Sequence, residues 1–493
     1  MNNKLIIGLI AAAGLVGCDS FLEEEPQDSL TTPDFYNTSQ DAISAINAAY
    51  DGFQHLDYYG FNYPMILHIS GADAIKGGFG AGDRPGYLEF GNYSVTAENV
   101  RNLEFYQSAW GGVNRANGVL VNVSEMEVTS EFPQELKDRI LGEARFLRAI
   151  HYYNLVLGYG GLPLYEEVPS VGDEPLPRTS QEETWNFIIS DFQAAAAALP
   201  ATYDPANQGR ATSGAANAML ARIAALQGRW QDVITLTDLV INSEANYQLV
   251  EDYGSNFDGR GNNNSESIFE IQYTLTNTSL NVWSESGDWN SNGISKYAAP
   301  QVDEAGWAFM SPAENLVQDY EEGDLRLPAT VYREGDSYGP DTFDPSRDGH
   351  LGNAGQYGLK KYTKLDLDGA NGNGFDINWK IIRFGEILLL RAEAENELNG
   401  PTESALGPLN QIRARAGLAD ISAANTPGLD QASLRDIILH ERRVELAFEG
   451  VRFYDLIYRD RAVDELGPRG YEPSDALFPI PPSELDLTGW DQN

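Results

Sequence analysis

Residues 381–398 read IIRFGEILLLRAEAENEL, and residues 441–460 read ERRVELAFEGVRFYDLIYRD. Both carry helical patterning, with ALGPLNQIRARAGL (405–418) between them, so the stretch from 379 to about 460 reads as helical. On a helix at about 100° per residue, Leu434, Ile437, Ile438, Val444, Phe448 and Val451 fall within one arc. Glu441 and Glu445 share that arc, as does Arg452 if the helix continues through Gly450. Two acids one turn apart on a core face could form a catalytic dyad. The favoured reading is a buried ion network with Arg442, Arg443 and Arg452 as partners, because charges are rarely buried unpaired.

Working outward, two further stretches are helical. TPDFYNTSQDAISAINAAYDGF (32–53) opens the first with a Thr/Pro/Asp start signal, and ELKDRILGEARFLRAIHYYNLVLGYGG (135–161) closes it on a glycine pair. TSGAANAMLARIAALQGRWQDVITLTDLVINS (212–243) reads as two helices joined at Gly228, with alanines that permit close approach. That hairpin resembles a tetratricopeptide unit, although no clean 34-residue repeat recurs. Between about 245 and 378 Gly, Asn, Asp and Ser rise and helical periodicity fades. SIFEIQYT (267–274) is the clearest strand there. The rest reads as loops on a rigid scaffold, where binding groups concentrate. A second irregular patch occupies 70–96. Trp110, Trp185, Trp230 and Trp379 sit in helical contexts and are read as core. The expected architecture is mostly α: a helix-pair scaffold over about 34–245 and 379–465, an irregular ligand-facing insert over about 245–378, and a few short strands.

The 493 residues carry 73 Asp+Glu against 33 Lys+Arg, a formal net charge of -40. Such a surface repels nucleic acid and anionic lipid, and disfavours polyanionic ligands. Catalytic patterns fail on inspection. The single G-x-S-x-G match, Gly335-Asp336-Ser337-Tyr338-Gly339, is followed by turn chemistry and not by the helix a nucleophile elbow requires. The five histidines are scattered, with no H-E-x-x-H. DLDGANGNGFD (366–376) misses the EF-hand register at Ala370, which leaves at most a loose structural calcium site. No cofactor and no metal ligand set is expected.

The chain begins with a short basic start and an apolar run ending at Leu15-Val16-Gly17-Cys18, which holds the only cysteine. The run is shorter than the roughly 18 apolar residues of a membrane span and reads as a signal peptide over 1–17. Leu-Val-Gly-Cys resembles the bacterial lipobox, which implies acylation of Cys18. Each buried CH₂ of an acyl chain contributes about 0.8 kcal/mol of membrane affinity. The acidic DSFLEEE (19–25) follows as a tether.

Residues 381–398, 409–418 and 441–460, together with LFPIPPSELDL (477–487) and the opening FLEEEPQDSLTTPDFY (21–36), resemble the SusD/RagB family of surface glycan-binding lipoproteins. Phe384 and Gly385 stand where the family more often has Tyr-Ala. The resemblance implies one SusD-like domain over 18–493 with a tetratricopeptide-like scaffold. It implies a binding protein and not an enzyme, anchored on the outer membrane, that delivers oligosaccharide to a SusC-like TonB-dependent transporter.

A neutral glycan offers flat C–H faces to Trp and Tyr and hydroxyls to amides, carboxylates and Arg. NVWSESGDWNSNGISKY (281–297) supplies Asn281, Trp283, Asp288, Trp289, Asn290, Asn292 and Tyr297, and Trp307 follows. Asp73, Lys76, Phe79, Arg84 and Tyr87 are candidates on the N-terminal patch, where the family often places ligand contacts. A β-1,3-glucan such as laminarin is the single best substrate expectation. A peptide- or glycoprotein-capturing lid of the same fold, a glycoside hydrolase, and a helical scaffold for proteins are the competing classes.

Overall fold

A computed structural model describes residues 35–78, 80, 82–170, 172–274, 292–300, 306–338, 341–348, 356–363 and 376–493. Cys18, the acidic tether and the 366–375 stretch lie outside these residues. In chain order the elements used below are α1 (Ser39–Asp51), α2 (Asn62–Ser70), β1 (Ala74–Lys76), α3 (Gly86–Gly91), α4 (Val100–Glu125), α5 (Gln134–Tyr159), α6 (Gln181–Ala198), α7 (Ser213–Leu226), α8 (Trp230–Ile241), β2 (Ser267–Ile271), α9 (Ile294–Ala298), β3 (Met310–Pro312), β4 (Trp379–Arg383), α10 (Phe384–Asn399), α11 (Glu403–Arg415), α12 (Gln431–Glu445), α13 (Arg452–Tyr458) and α14 (Pro482–Thr488).

Local chemistry sets the helix limits. Thr38 and Asp41 form a reciprocal capping box that opens α1. Gly160 at φ 74° stops α5, and Gly228 at φ 65° separates α7 from α8. Helices α4 through α8 then pack in sequence, each against the next. Ala215, Ala216, Ala218, Ala221 and Ala224 of α7 are fully buried, and their small side chains let the backbones approach closely.

The stack does not end at α8. Helix α8 packs on α10, which packs on α11 and α12, so the scaffold continues across the intervening segment as though it were absent. That segment leaves and returns at one place. β2 pairs antiparallel with β4, with Ser267 opposite Arg383 and Ile271 opposite Trp379. The mostly helical fold is the expected one, with one local correction: residues 379–383 form a strand. A run of five buried residues, WKIIR, merges with the helical pattern that follows it. Trp379 is core as expected, but it stacks on Tyr362 from a strand.

Charge fastens the segment to the scaffold. Arg383 is fully buried and pairs with Glu266 and Glu445 at 2.6 Å each and with Glu449 at 2.7 Å. Arg326 pairs with Asp324 at 2.8 Å, Glu441 at 2.5 Å and Glu445 at 3.0 Å. Lys361 reaches Glu449 at 2.7 Å. The ion network around Glu441 and Glu445 therefore exists, but its partners are Arg326, Arg383, Arg413 and Arg415. The expected partners lead elsewhere: Arg442 to Asp455, Arg443 to Asp73 and Asp319, and Arg452 to Glu465. The helix also stops at Glu445, and Gly450 has φ 80°. A Cβ on Gly385 would lie 2.5 Å from Arg383 Nη1 and 2.9 Å from Glu445 Oε1, so glycine there leaves room for the network.

The G-x-S-x-G match falls on a β-hairpin, with Ser337 and Tyr338 paired to Thr342 and Asp341, and not on a strand-to-helix elbow. Among the described residues no helix is long and apolar enough to cross a membrane.

Candidate functional site

Three segments distant in sequence meet through their backbones. β1 pairs antiparallel with β3, placing Ala74 opposite Pro312 and Lys76 opposite Met310. Gly77 and Gly78 N–H extend the pairing to the Phe309 and Ala308 carbonyls at 2.6 and 3.1 Å. The α9 turn joins through Trp307 N–H to Lys296 O at 3.0 Å and Phe309 N–H to Tyr297 O at 2.7 Å. Gly78 sits at φ 91°, and a Cβ there would meet Phe309 Cε1 at 2.8 Å. Only glycine satisfies both the backbone and the space.

These segments assemble a ring cluster. Tyr297 stacks on Phe61 at 4.0 Å, and Trp307 meets Tyr297 edge-on at 4.7 Å. The Arg84 guanidinium lies over Tyr297, Phe61 and Phe309 at 5.1, 5.6 and 5.8 Å and donates to the Tyr297 hydroxyl at 3.4 Å. Arg84 adopts φ 49°, an unusual conformation for a residue with a side chain, worth about 1–3 kcal/mol of strain. Lys296 Nζ stands 5.7 Å over Trp307. Trp307 is half-buried. Beside Arg84, Arg101 lies over Tyr87 and pairs with Glu104 at 2.6 Å. Burial pushes the Glu104 carboxyl up to about 7.

The structure divides the expected site residues into three groups. Arg84, Trp307 and Tyr297 come together, although Tyr297 is interior at 1% exposure and contributes only through its neighbours. Asp73, Tyr87 and Asn292 are corrected to structural roles. Asp73 pairs with Arg443 at 3.0 Å, the Tyr87 hydroxyl donates to Asn62 at 2.7 Å, and Asn292 bridges Ile377 O and Ile294 N–H. Their glycine-rich surroundings suggest exposure, but Arg443 meets Asp73, Phe61 and Asn62 meet Tyr87, and Ile377 meets Asn292. Lys76 is likewise buried and donates to Gly80 O at 2.8 Å. Trp283, Trp289, Asn281, Asp288, Asn290 and Phe79 lie outside the described residues. Sequence reasoning missed Arg101, Glu104 and Lys296. The first two open the long helix α4, and no local pattern marks them. Among the described residues no group of three or more His, Cys, Asp or Glu side chains could hold a metal.

A scaffold of consecutive helix pairs, interrupted once by a strand-clamped insert that carries part of an aromatic surface, defines a class of helical binding proteins. Residues 265–474 match the family described as SusD family, and residues 86–224 match the family described as starch-binding, associating with outer membrane. The SusD-like protein P2 of Formosa agariphila is 30% identical over 98% of this chain and 97% of its own. A solved structure of a laminarin-binding SusD-like protein is 25% identical, with TM-score 0.78 over 93% of this chain and 99% of its own. Surface glycan-binding protein A from Bacteroides thetaiotaomicron, solved with laminarihexaose, shares the fold at 22% identity and TM-score 0.77, over 93% of this chain and 100% of its own. The chain belongs to the SusD/RagB family.

Proposed function

We propose that the protein is a non-catalytic cell-surface receptor for oligo- or polysaccharide, with a neutral β-1,3-glucan such as laminarin as its ligand. Lipid on Cys18, after removal of residues 1–17, holds it on the outer membrane. It passes glycan to a SusC-like TonB-dependent transporter. The observation that carries this reading is the convergence of β1, α9 and β3 on one ring cluster, with Arg84 capping it and half-buried Trp307 at its edge. Tyr297, Phe61 and Phe309 are interior and brace the surface, half-buried Trp307 offers apolar area for a pyranose face, and Arg84 and Lys296 offer donors for hydroxyls. The laminarin-binding relative of the same fold supports the substrate class. Trp283, Trp289, Asn281, Asp288 and Asn290 are proposed as further contacts from the adjoining segment, and Phe79 from the N-terminal patch. The net charge of -40 disfavours anionic glycans.

Native gels cast with laminarin, starch, pectin and alginate test the reading. The protein is retarded in laminarin without releasing product, and Arg84→Ala, Trp307→Ala, Trp283→Ala or Trp289→Ala each relieves the retardation. Unchanged migration in every neutral glucan overturns the proposal. Retardation that survives all four substitutions moves the site elsewhere.

A further inference from the structure

A second cleft, of about 910 Å³, opens between α4, the 163–176 segment and the C-terminal α14. It shares no lining residue with the Arg84 cluster. Its lining is aliphatic as well as aromatic: Leu164, Val168, Leu176 and Leu487 join Trp110 and Trp490. Val168, Leu176 and Leu487 are 48%, 40% and 69% exposed, so large apolar side chains face solvent together here. Contiguous exposed apolar surface of this kind marks an interaction site.

Trp110 is not a free platform. Trp110 is held edge-on by Tyr106, Tyr152 and Tyr165 at 6.1, 5.5 and 5.8 Å. The exposed amides Gln107 and Asn114 also line the cleft, but the side chains most open to solvent within it include the aliphatic Val168, Leu176 and Leu487. Its rim is uniformly acidic: Glu166, Glu167, Asp173, Glu174 and Glu484 line it, and no Lys or Arg does. The C-terminal wall is fixed in advance. Arg178 donates to Asn493 Oδ1 at 2.7 Å, and Gln492 and Ile480 exchange hydrogen bonds at 2.6 and 3.0 Å. A rigid wall lowers the ordering cost of binding.

We propose that this cleft docks an extended segment of a partner protein, with an aliphatic or aromatic anchor flanked by Lys or Arg. The anchor fills the space between Leu487, Val168 and Trp490, and the flanking cations meet the carboxylate rim. The proposal is independent of the glycan reading.

The test is fluorescence anisotropy at 0.15 M salt, where charge attraction is screened beyond about 8 Å. The probes are the labelled peptides Lys-Lys-Leu-Phe-Leu-Lys-Lys and Glu-Glu-Leu-Phe-Leu-Glu-Glu. The basic peptide binds and the acidic one does not. Leu487→Asp weakens the basic peptide about tenfold or more, as loss of an interface anchor does. That substitution adds negative charge, so plain electrostatic attraction predicts the opposite change. Val168→Asp acts in the same direction, and circular dichroism checks that both variants fold. No binding of the basic peptide, or binding unweakened in both variants, overturns the proposal. Displacement of the peptide by laminarin, with glycan retardation lost in Leu487→Asp, also overturns it and makes the cleft a carbohydrate subsite.

Discussion

The helical stack and the insert are held by different physics. In the stack, α7 presents alanines to its neighbours, and buried charge appears in links such as Arg148–Asp191 and Arg222–Glu386 beside that apolar contact. Where the insert meets the stack, Arg326, Lys361 and Arg383 are buried among Glu266, Glu441, Glu445 and Glu449. Apolar packing tolerates substitution while volume is kept, but a buried charge tolerates only its own partners. The insert therefore has one docked position, and the aromatic surface it helps build inherits that definition.

The largest expected effect breaks this contrast directly. Arg383→Met leaves three carboxylates without their shared guanidinium and should cost about 3–5 kcal/mol in chemical denaturation. Limited proteolysis should then cut within 272–378 before the stack. A loss under about 1 kcal/mol means the ion seam is not what seats the insert.

Acid pH loads both regions, since His151 lies in α5 of the stack and His68 packs beside Trp379 and Phe448 at the seam. Burial holds His68 and His151 at about 3, against the ordinary 6.5. Below pH 6.5 the unfolded chain takes protons that the folded chain refuses. Their contribution is complete above 6.5 and drains as pH falls towards 3, at up to about 1.4 kcal/mol per pH unit each. Glu104, lifted to about 7 by burial, takes its proton early in the folded chain and offsets part of this loss between about 7 and 4.5. Desolvation opposes ionisation of Glu445 and Glu449, but Arg415 and Arg383 for the first, and Arg383 and Lys361 for the second, hold both below the usual range. Their contribution is present above 4.5 and is lost below it. Urea midpoints should thus fall shallowly between pH 6.5 and 4.5 and steeply below, and His151→Gln should flatten the first limb.

Overpacking tests the stack alone. Ala221→Leu should cost about 1–3 kcal/mol in urea denaturation without loosening the insert to protease. The most local effect is at the site: Gly78→Ala forces a Cβ against Phe309 at an unfavourable φ. It should cost about 1–3 kcal/mol at most and weaken glycan retardation more than it lowers the unfolding midpoint.

The stack was legible because its signals are local. Gly160 and Gly228 each announce a boundary within a turn, whereas the first helix opens at the Thr38–Asp41 box and not at the Thr/Pro/Asp signal read upstream of it. The ion seam was legible only in part. Glu441 and Glu445 betray themselves by facing the core, but Arg326 lies 119 residues from Glu445 and no periodicity connects them. The site was the least legible. Asp73 and Tyr87 look exposed in their glycine-rich setting, and only partners outside that patch hide them: Arg443 on Asp73, and Phe61, Asn62 and Arg101 on Tyr87. Arg84 is a candidate through the family resemblance alone, and no local pattern marks the ring cluster over which its guanidinium lies.

Antiparallel pairing of residues 267–271 with 379–383 brings both ends of the insert within one strand spacing of about 5 Å. The loops between those ends can change in length and sequence without moving the join, provided Arg326 and Lys361 remain to meet Glu441, Glu445 and Glu449 beneath them.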